Sequence, residues 1–350
     1  MSPSEHRTLC APKGRTHQPQ VAMAMPPKKQ LPTQYLGTYL YPNTFLAQPN
    51  FDDKLSATDV IDRLTISQTE VLVTRMGGLF TAIPHPLVGE RRTPKGHLIW
   101  DHMQAQLDFE QSVCQTFNLL ICEFCLRGHV SEPASPAFLG AATLEDNRIY
   151  VKRFHGAPVS YFDRALSPAS ALQHDDLFFL AALGKDLEIY PRARPLKTAL
   201  LLSQLSPNLP TIVASAYSLY TQHRLSEALI DAWIAAEQII DSIWESYLRL
   251  LPDKERIRRL KDERTYTVAV RLELLVTAGK LPEELYCALQ KARHHRNAVA
   301  HRAEIGFFAA MDTLGALRLL IWHVSGEEPA QFPSPGGPMW DLETDEEDRS

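Results

Sequence analysis

The chain has 350 residues, of which 45% are hydrophobic and 22% charged, and its net charge is -5. This is the composition of a globular protein and excludes a polycation that coats nucleic acid, so any anion site must be local. Five cysteines without the spacing of a secreted disulfide framework point to a reducing, cytoplasmic setting. No apolar run approaches the roughly 18 to 20 residues that cross a bilayer, and the first 20 residues lack the apolar core of a secretory leader.

Taken in chain order, residues 1–33 are polar, carry scattered Pro, Lys and Arg, and have no apolar period, which predicts a disordered N-terminal segment. Met23 and Met25 offer alternative starts. Residues 34–205 read as a mixed, mostly helical α+β region. "EVLVTRMGGLFTAI" predicts a strand, a glycine turn and a second strand. The stretch from His97 to Gly128 predicts one long helix, starting after Pro94 and Gly96 and stopping at Gly128. "RIYVKRF" is a strand candidate, and "DDLFFLAALG" a short helix ending on Gly184. Cys122 and Cys125 form a C-x2-C near Cys114 and His129. The pair lies in an apolar helical run without a second C-x2-C, which favours buried thiols over a metal site. Gly77 and Gly78 are not followed by the Lys-Ser/Thr of a phosphate loop.

Residues 208–324 are easier to read. "LSEALIDAWIAAEQIIDSIWESYLRLL" carries a wide apolar stripe at helical period and ends at Pro252. "VAVRLELLVTAG" gives a second helix closed by Gly279, and "PEELYCALQKARHHR" a third that opens on Pro282 and two glutamates. "FFAAMDTLGALRLLIWHV" is a strongly apolar fourth. Four helices with short connections predict a bundle. Residues 325–350 combine a Pro/Gly cluster with an acidic run, as a disordered acidic tail does. The fold class expected is mainly α: a four-helix C-terminal bundle preceded by the α+β region.

Between the third and fourth helices lies "RHHRNAVAHR", residues 293–302. Its Arg-x4-His spacing, Arg296 to His301, is weak alone, because Arg92/His97 and Arg318/His323 repeat it. Asn297 directly after the arginine, and the position at a helix junction, set this match apart. From Pro252 to Arg302 there are 12 Lys and Arg against 7 Asp and Glu, in a chain that is negative overall. That local excess suits an anionic ligand.

Arg-Asn-x3-His between the last two helices of a bundle resembles the active-site motif of HEPN domains. "SEALIDAWIAAEQIIDSIW" is similar to the first long helix of ApeA-like HEPN domains, and the stretch from Arg259 to His301 to their middle, so the resemblance covers roughly 212–324. It implies a metal-independent endoribonuclease without cofactor, acting on RNA as a homodimer whose two motifs line one cleft. It also implies a place in bacterial antiphage defence or a toxin-like stress response, with the trigger of the N-terminal region unassigned; the lack of a long apolar run separately predicts no membrane association.

The side chains fit that chemistry. RNA brings its own nucleophile, the 2'-OH. An imidazole, here His301, takes that proton or protonates the leaving oxygen. A guanidinium, here Arg296, grips two phosphate oxygens. Asn297 lies about 40° from His301 on an ideal helix and can orient the ring, whereas Arg296 lies about 140° away, so the site needs either a broken helix or a second subunit. Glu237, at the edge of an apolar stripe, is a candidate partner for Arg296 or His301. Arg293, His294, His295 and Arg302 are candidate phosphate contacts, with a solvated helix face as the plain alternative. Two other functions stay open: a non-catalytic HEPN module binding RNA or a nucleotide, and a dimerisation or regulatory scaffold.

Overall fold

A computed structural model describes residues 33–40, 46, 58–88, 92–152, 186–262, 264–301 and 306–327. The predicted helix 175–184, Arg302, Met23, Met25 and most of both end segments lie outside the described residues. Those described are mainly helical, with one antiparallel sheet.

Six strands build the sheet: β1 (Gln34–Tyr39), β2 (Val60–Ile66), β3 (Thr69–Thr74), β4 (Gly78–Ala82), β5 (Gly140–Glu145) and β6 (Arg148–Lys152). Their spatial order is β2-β3-β4-β1-β5-β6, every pair antiparallel. The predicted strand, glycine turn and strand are β3, Gly77 at φ 70° and β4. The sheet rolls until its two edges meet at one end. There the Val60 amide donates to the Asn147 carbonyl at 2.9 Å, the Ile149 amide donates to the Thr58 carbonyl at 3.1 Å, and Arg148 Nε binds Asp59 Oδ1 at 2.8 Å.

Alternating residues face inward, because side chains alternate sides along a strand. Tyr35, Tyr39, Val60, Leu72, Phe80, Ala142 and Ile149 form that inner cluster. Tyr39 and Phe80 meet edge to face at 5.5 Å. Gly37 is required beside them, since a Cβ there would lie 2.2 Å from the Phe80 ring and 2.3 Å from the Leu79 carbonyl oxygen. The opposite face carries Leu36, Leu64, Val71, Val73 and Leu79, which join the main apolar core. The irregular register between Val60 and Asp62 lets β2 serve both clusters.

Helix α1 (Trp100–Leu126) is the predicted long helix, and its second half, from Val113, is buried. Then come α2 (Asp186–Ala193), α3 (Lys197–Leu205), α4 (Leu209–Thr221), α5 (Leu225–Arg249), α6 (Lys254–Leu260), α7 (Val268–Thr277), α8 (Glu283–Ala300) and α9 (Phe307–Ser325). The four predicted C-terminal helices correspond to α5, α7, α8 and α9. Unanticipated are α2, α3, α4 and α6. Helix α4 packs against both α1 and α5, so one apolar core runs from β1 to α9, and the boundary near residue 205 is a short helix junction inside it.

One buried charge cluster crosses that boundary. Glu123 is fully buried and accepts from Arg127 Nη2 at 2.7 Å and from the Ala199 amide at 2.9 Å. Arg127 also lies 3.4 Å from Glu327, just past α9. Burial pushes the Glu123 carboxyl above its ordinary range, against the opposing pull of the Ala199 amide and Arg127. Contrary to the expectation that no apolar run is long enough to cross a bilayer, helix α9 has the length and apolar composition of a membrane span. Here it packs against α5 and α8, with Ala310, Leu314, Leu317, Leu320 and Ile321 buried.

Candidate functional site

The site is set by the phase of α8. Leu285, Leu289 and Ala292 are buried, marking the face that packs into the bundle. The next position on that stripe, four residues on, is Arg296. An arginine thus extends the core-facing side of the helix to its end. It is half-buried, and its Nη1 donates to Asn297 Oδ1 at 3.3 Å. Among the described residues no carboxylate pairs with it. A half-buried guanidinium without a carboxylate among the described residues keeps its donors open to a bound anion.

His301 caps α8 with φ -93° and ψ 17°, and its amide donates to the carbonyls of Asn297 and Ala298 at 3.2 and 3.1 Å. The side chain is exposed, and its ring forms no hydrogen bond among the described residues. The helix is therefore unbroken from Arg296 to its cap. Of the two ways to focus both groups on one phosphate, a break in the helix is not the one present. The side chains leave the axis about 140° apart and about 7.5 Å along it.

The arginines of the other Arg-x4-His pairs are held by structural bonds, and so is His323. Arg92 Nη1 donates to the Gly96 carbonyl at 2.9 Å, closing a loop. Arg318 stacks over Trp322 at 4.8 Å, and His323 Nε2 lies 2.9 Å from the Lys280 carbonyl oxygen. The motif at 296–301 differs from both in its arginine, whose guanidinium is half-buried and, among the described residues, bound only to its neighbouring amide.

The remaining predicted residues divide. Asn297 binds Arg296 rather than the imidazole. Glu237 is half-buried on α5 and makes no hydrogen bond or ion pair with Arg296, His301 or any other described residue. His294 is exposed, and Arg293 donates from Nε to Gln290 Oε1 at 2.9 Å. His295 turns the other way: its Nε2 is 3.4 Å from Asp312 Oδ2 on α9, which also binds Lys291 at 2.9 Å. It serves the α8–α9 contact. Arg293 and His294 line an open groove of about 530 Å³ between α7 and α8, with Glu273, Tyr286, Cys287 and Gln290. Sequence reasoning passed over Tyr286 and Glu273. Their positions four and eleven residues before Gln290 and Glu284 held no sign that two helices would bring them together, and their hydroxyl–carboxylate bond shows only in the fold.

Cys114, Cys122 and Cys125 are buried free thiols, and burial pushes Cys114 and Cys125 up to about 12. The described residues hold no group of three or more potential metal ligands. Comparison of the chain with family models, with curated proteins and with solved structures finds no match.

Proposed function

We propose that this chain is a metal-independent endoribonuclease of HEPN type that works as a homodimer. The observation that carries the reading is Arg296: a half-buried guanidinium on the core stripe of α8, with no carboxylate among the described residues, five residues from an exposed imidazole that makes no hydrogen bond among them. Two copies are invoked because Arg296 and His301 of one uninterrupted helix point apart. Arg296 of one copy then faces His301 of the other across the scissile phosphate.

In the step, the ribose 2'-oxygen bonds to phosphorus as its proton passes to an imidazole. The bond from phosphorus to the 5'-oxygen breaks, and that oxygen takes a proton. The products are a 2',3'-cyclic phosphate and a 5'-hydroxyl. Arg296 stabilises the charge that builds on the non-bridging oxygens. Such an activity suits the defence or toxin-like role that the family resemblance implies.

The divergence of the two side chains also favours a second reading, a non-catalytic module that binds RNA or a nucleotide and regulates a partner. Incubating RNA with the full chain in EDTA separates the two. Cleavage by wild type that falls by at least about a hundredfold in His301→Ala, the usual scale of general acid–base catalysis, supports the enzyme. Equal cleavage by both proteins overturns the assignment. RNA binding without cleavage, lost in Arg296→Ala, selects the second reading.

A further inference from the structure

We infer that the groove between α7 and α8 seats a nucleotide of single-stranded RNA on its way to His301. The inference rests on the ribonuclease reading for the class of ligand. The location comes from helix phase. Tyr286, Gln290, Arg293, Asn297 and His301 follow one another at intervals of three or four residues, so they occupy one face of α8. The face runs about 22 Å at 1.5 Å per residue, from the groove to the exposed imidazole.

The groove holds the groups a nucleotide needs. Tyr286 presents a ring, and its hydroxyl bonds to the Glu273 carboxylate across the two helices, which fixes that ring in place. Bases stack on such rings whatever their sequence. Glu273 accepts hydrogen bonds, and the Gln290 amide both donates and accepts, which suits the edge of a base. Gln290 is itself steadied by Arg293 at 2.9 Å. Arg293 and His294, nearer the motif, suit the phosphates. A purely anionic ligand such as an acidic peptide would meet the carboxylate of Glu273, whereas a nucleotide pairs a polar base with that acid and a phosphate with the arginine.

Cys287 makes the groove testable without catalysis. It is an exposed thiol on the groove wall, while Cys114, Cys122 and Cys125 are buried. The full chain is treated with N-ethylmaleimide, with and without a 2'-O-methyl oligoribonucleotide, which lacks the nucleophile and cannot be cut. Labelling at Cys287 is followed by peptide mass spectrometry. With oligonucleotide at ten times its Kd, occupancy slows labelling about tenfold. Tyr286→Ala weakens binding about tenfold, the scale of one lost stack, and Tyr286→Phe, which keeps the ring but loses its bond to Glu273, restores most of it. Should Tyr286→Ala fail to fold, Gln290→Ala tests the same wall and weakens binding in the same direction.

Unchanged Cys287 labelling with the oligonucleotide bound overturns the groove and leaves the ribonuclease reading intact. Protection of Cys287 by an oligonucleotide whose unmodified RNA is never cleaved keeps the groove and overturns the ribonuclease. Failure of the chain to bind RNA, with Cys287 shielded instead by another protein, overturns the groove.

Discussion

Arg127 and Arg296 both sit at the C-terminal ends of helices that pack into the core, and the protein treats them oppositely. Arg127 is 8% exposed and meets two carboxylates, Glu123 at 2.7 Å and Glu327 at 3.4 Å. It ties α1 to Glu327, two residues past α9, through a cluster that also holds the start of α3. Arg296 extends the buried stripe of α8 and meets an amide oxygen at 3.3 Å, with no carboxylate among the described residues. An arginine that holds a fold together is neutralised within the chain. Arg296, half-buried and without a carboxylate among the described residues, keeps donors open to an anion.

The largest expected effect tests the first half of this contrast. Arg127→Ala leaves Glu123 buried and without its cation, which costs about 3–5 kcal/mol of stability. Urea denaturation measures it, and a loss under about 1 kcal/mol would mean that the cluster does not hold the two parts together. The smaller effect tests the second half. Arg296→Met keeps the stem and removes the charge, so stability stays within about 1 kcal/mol of wild type, while RNA binding falls. If Arg296→Met costs as much stability as Arg127→Ala, Arg296 is a structural cation and the contrast fails.

Much of the fold was legible in the sequence, for physical reasons. Long periodic segments such as α1 and α5 declare themselves because one buried stripe repeats over several turns. The β3–β4 hairpin was visible because Gly77 marks the turn. Helix α4 was not, since "LPTIVASAYSLYT" is apolar on almost every side and is clasped between α1 and α5. The rolled sheet was hidden too. Its order places β1 between β4 and β5, and its closure joins residue 59 to residue 148, pairings that no local pattern encodes.

At the candidate site, composition gave the residues and helix phase sorted them. His294 and His295 are neighbours in the chain, yet one is exposed beside the groove and the other faces Asp312. The expectation that Glu237 pairs with the motif rested on its apolar neighbours, and neighbours in sequence do not fix where a carboxylate points. Whether the helix breaks between Arg296 and His301 also depends on backbone angles, which spacing alone does not carry.

That unbroken turn has a consequence for genetics. In the proposed paired arrangement each phosphate is held by Arg296 of one copy and His301 of the other. An Arg296→Ala chain and a His301→Ala chain, each inert alone, then rescue one another when mixed. A mixed pair keeps one site with both side chains intact and loses the other. Random exchange of equal amounts should recover about a quarter of wild-type activity in a symmetric dimer. A site built within a single chain would recover none.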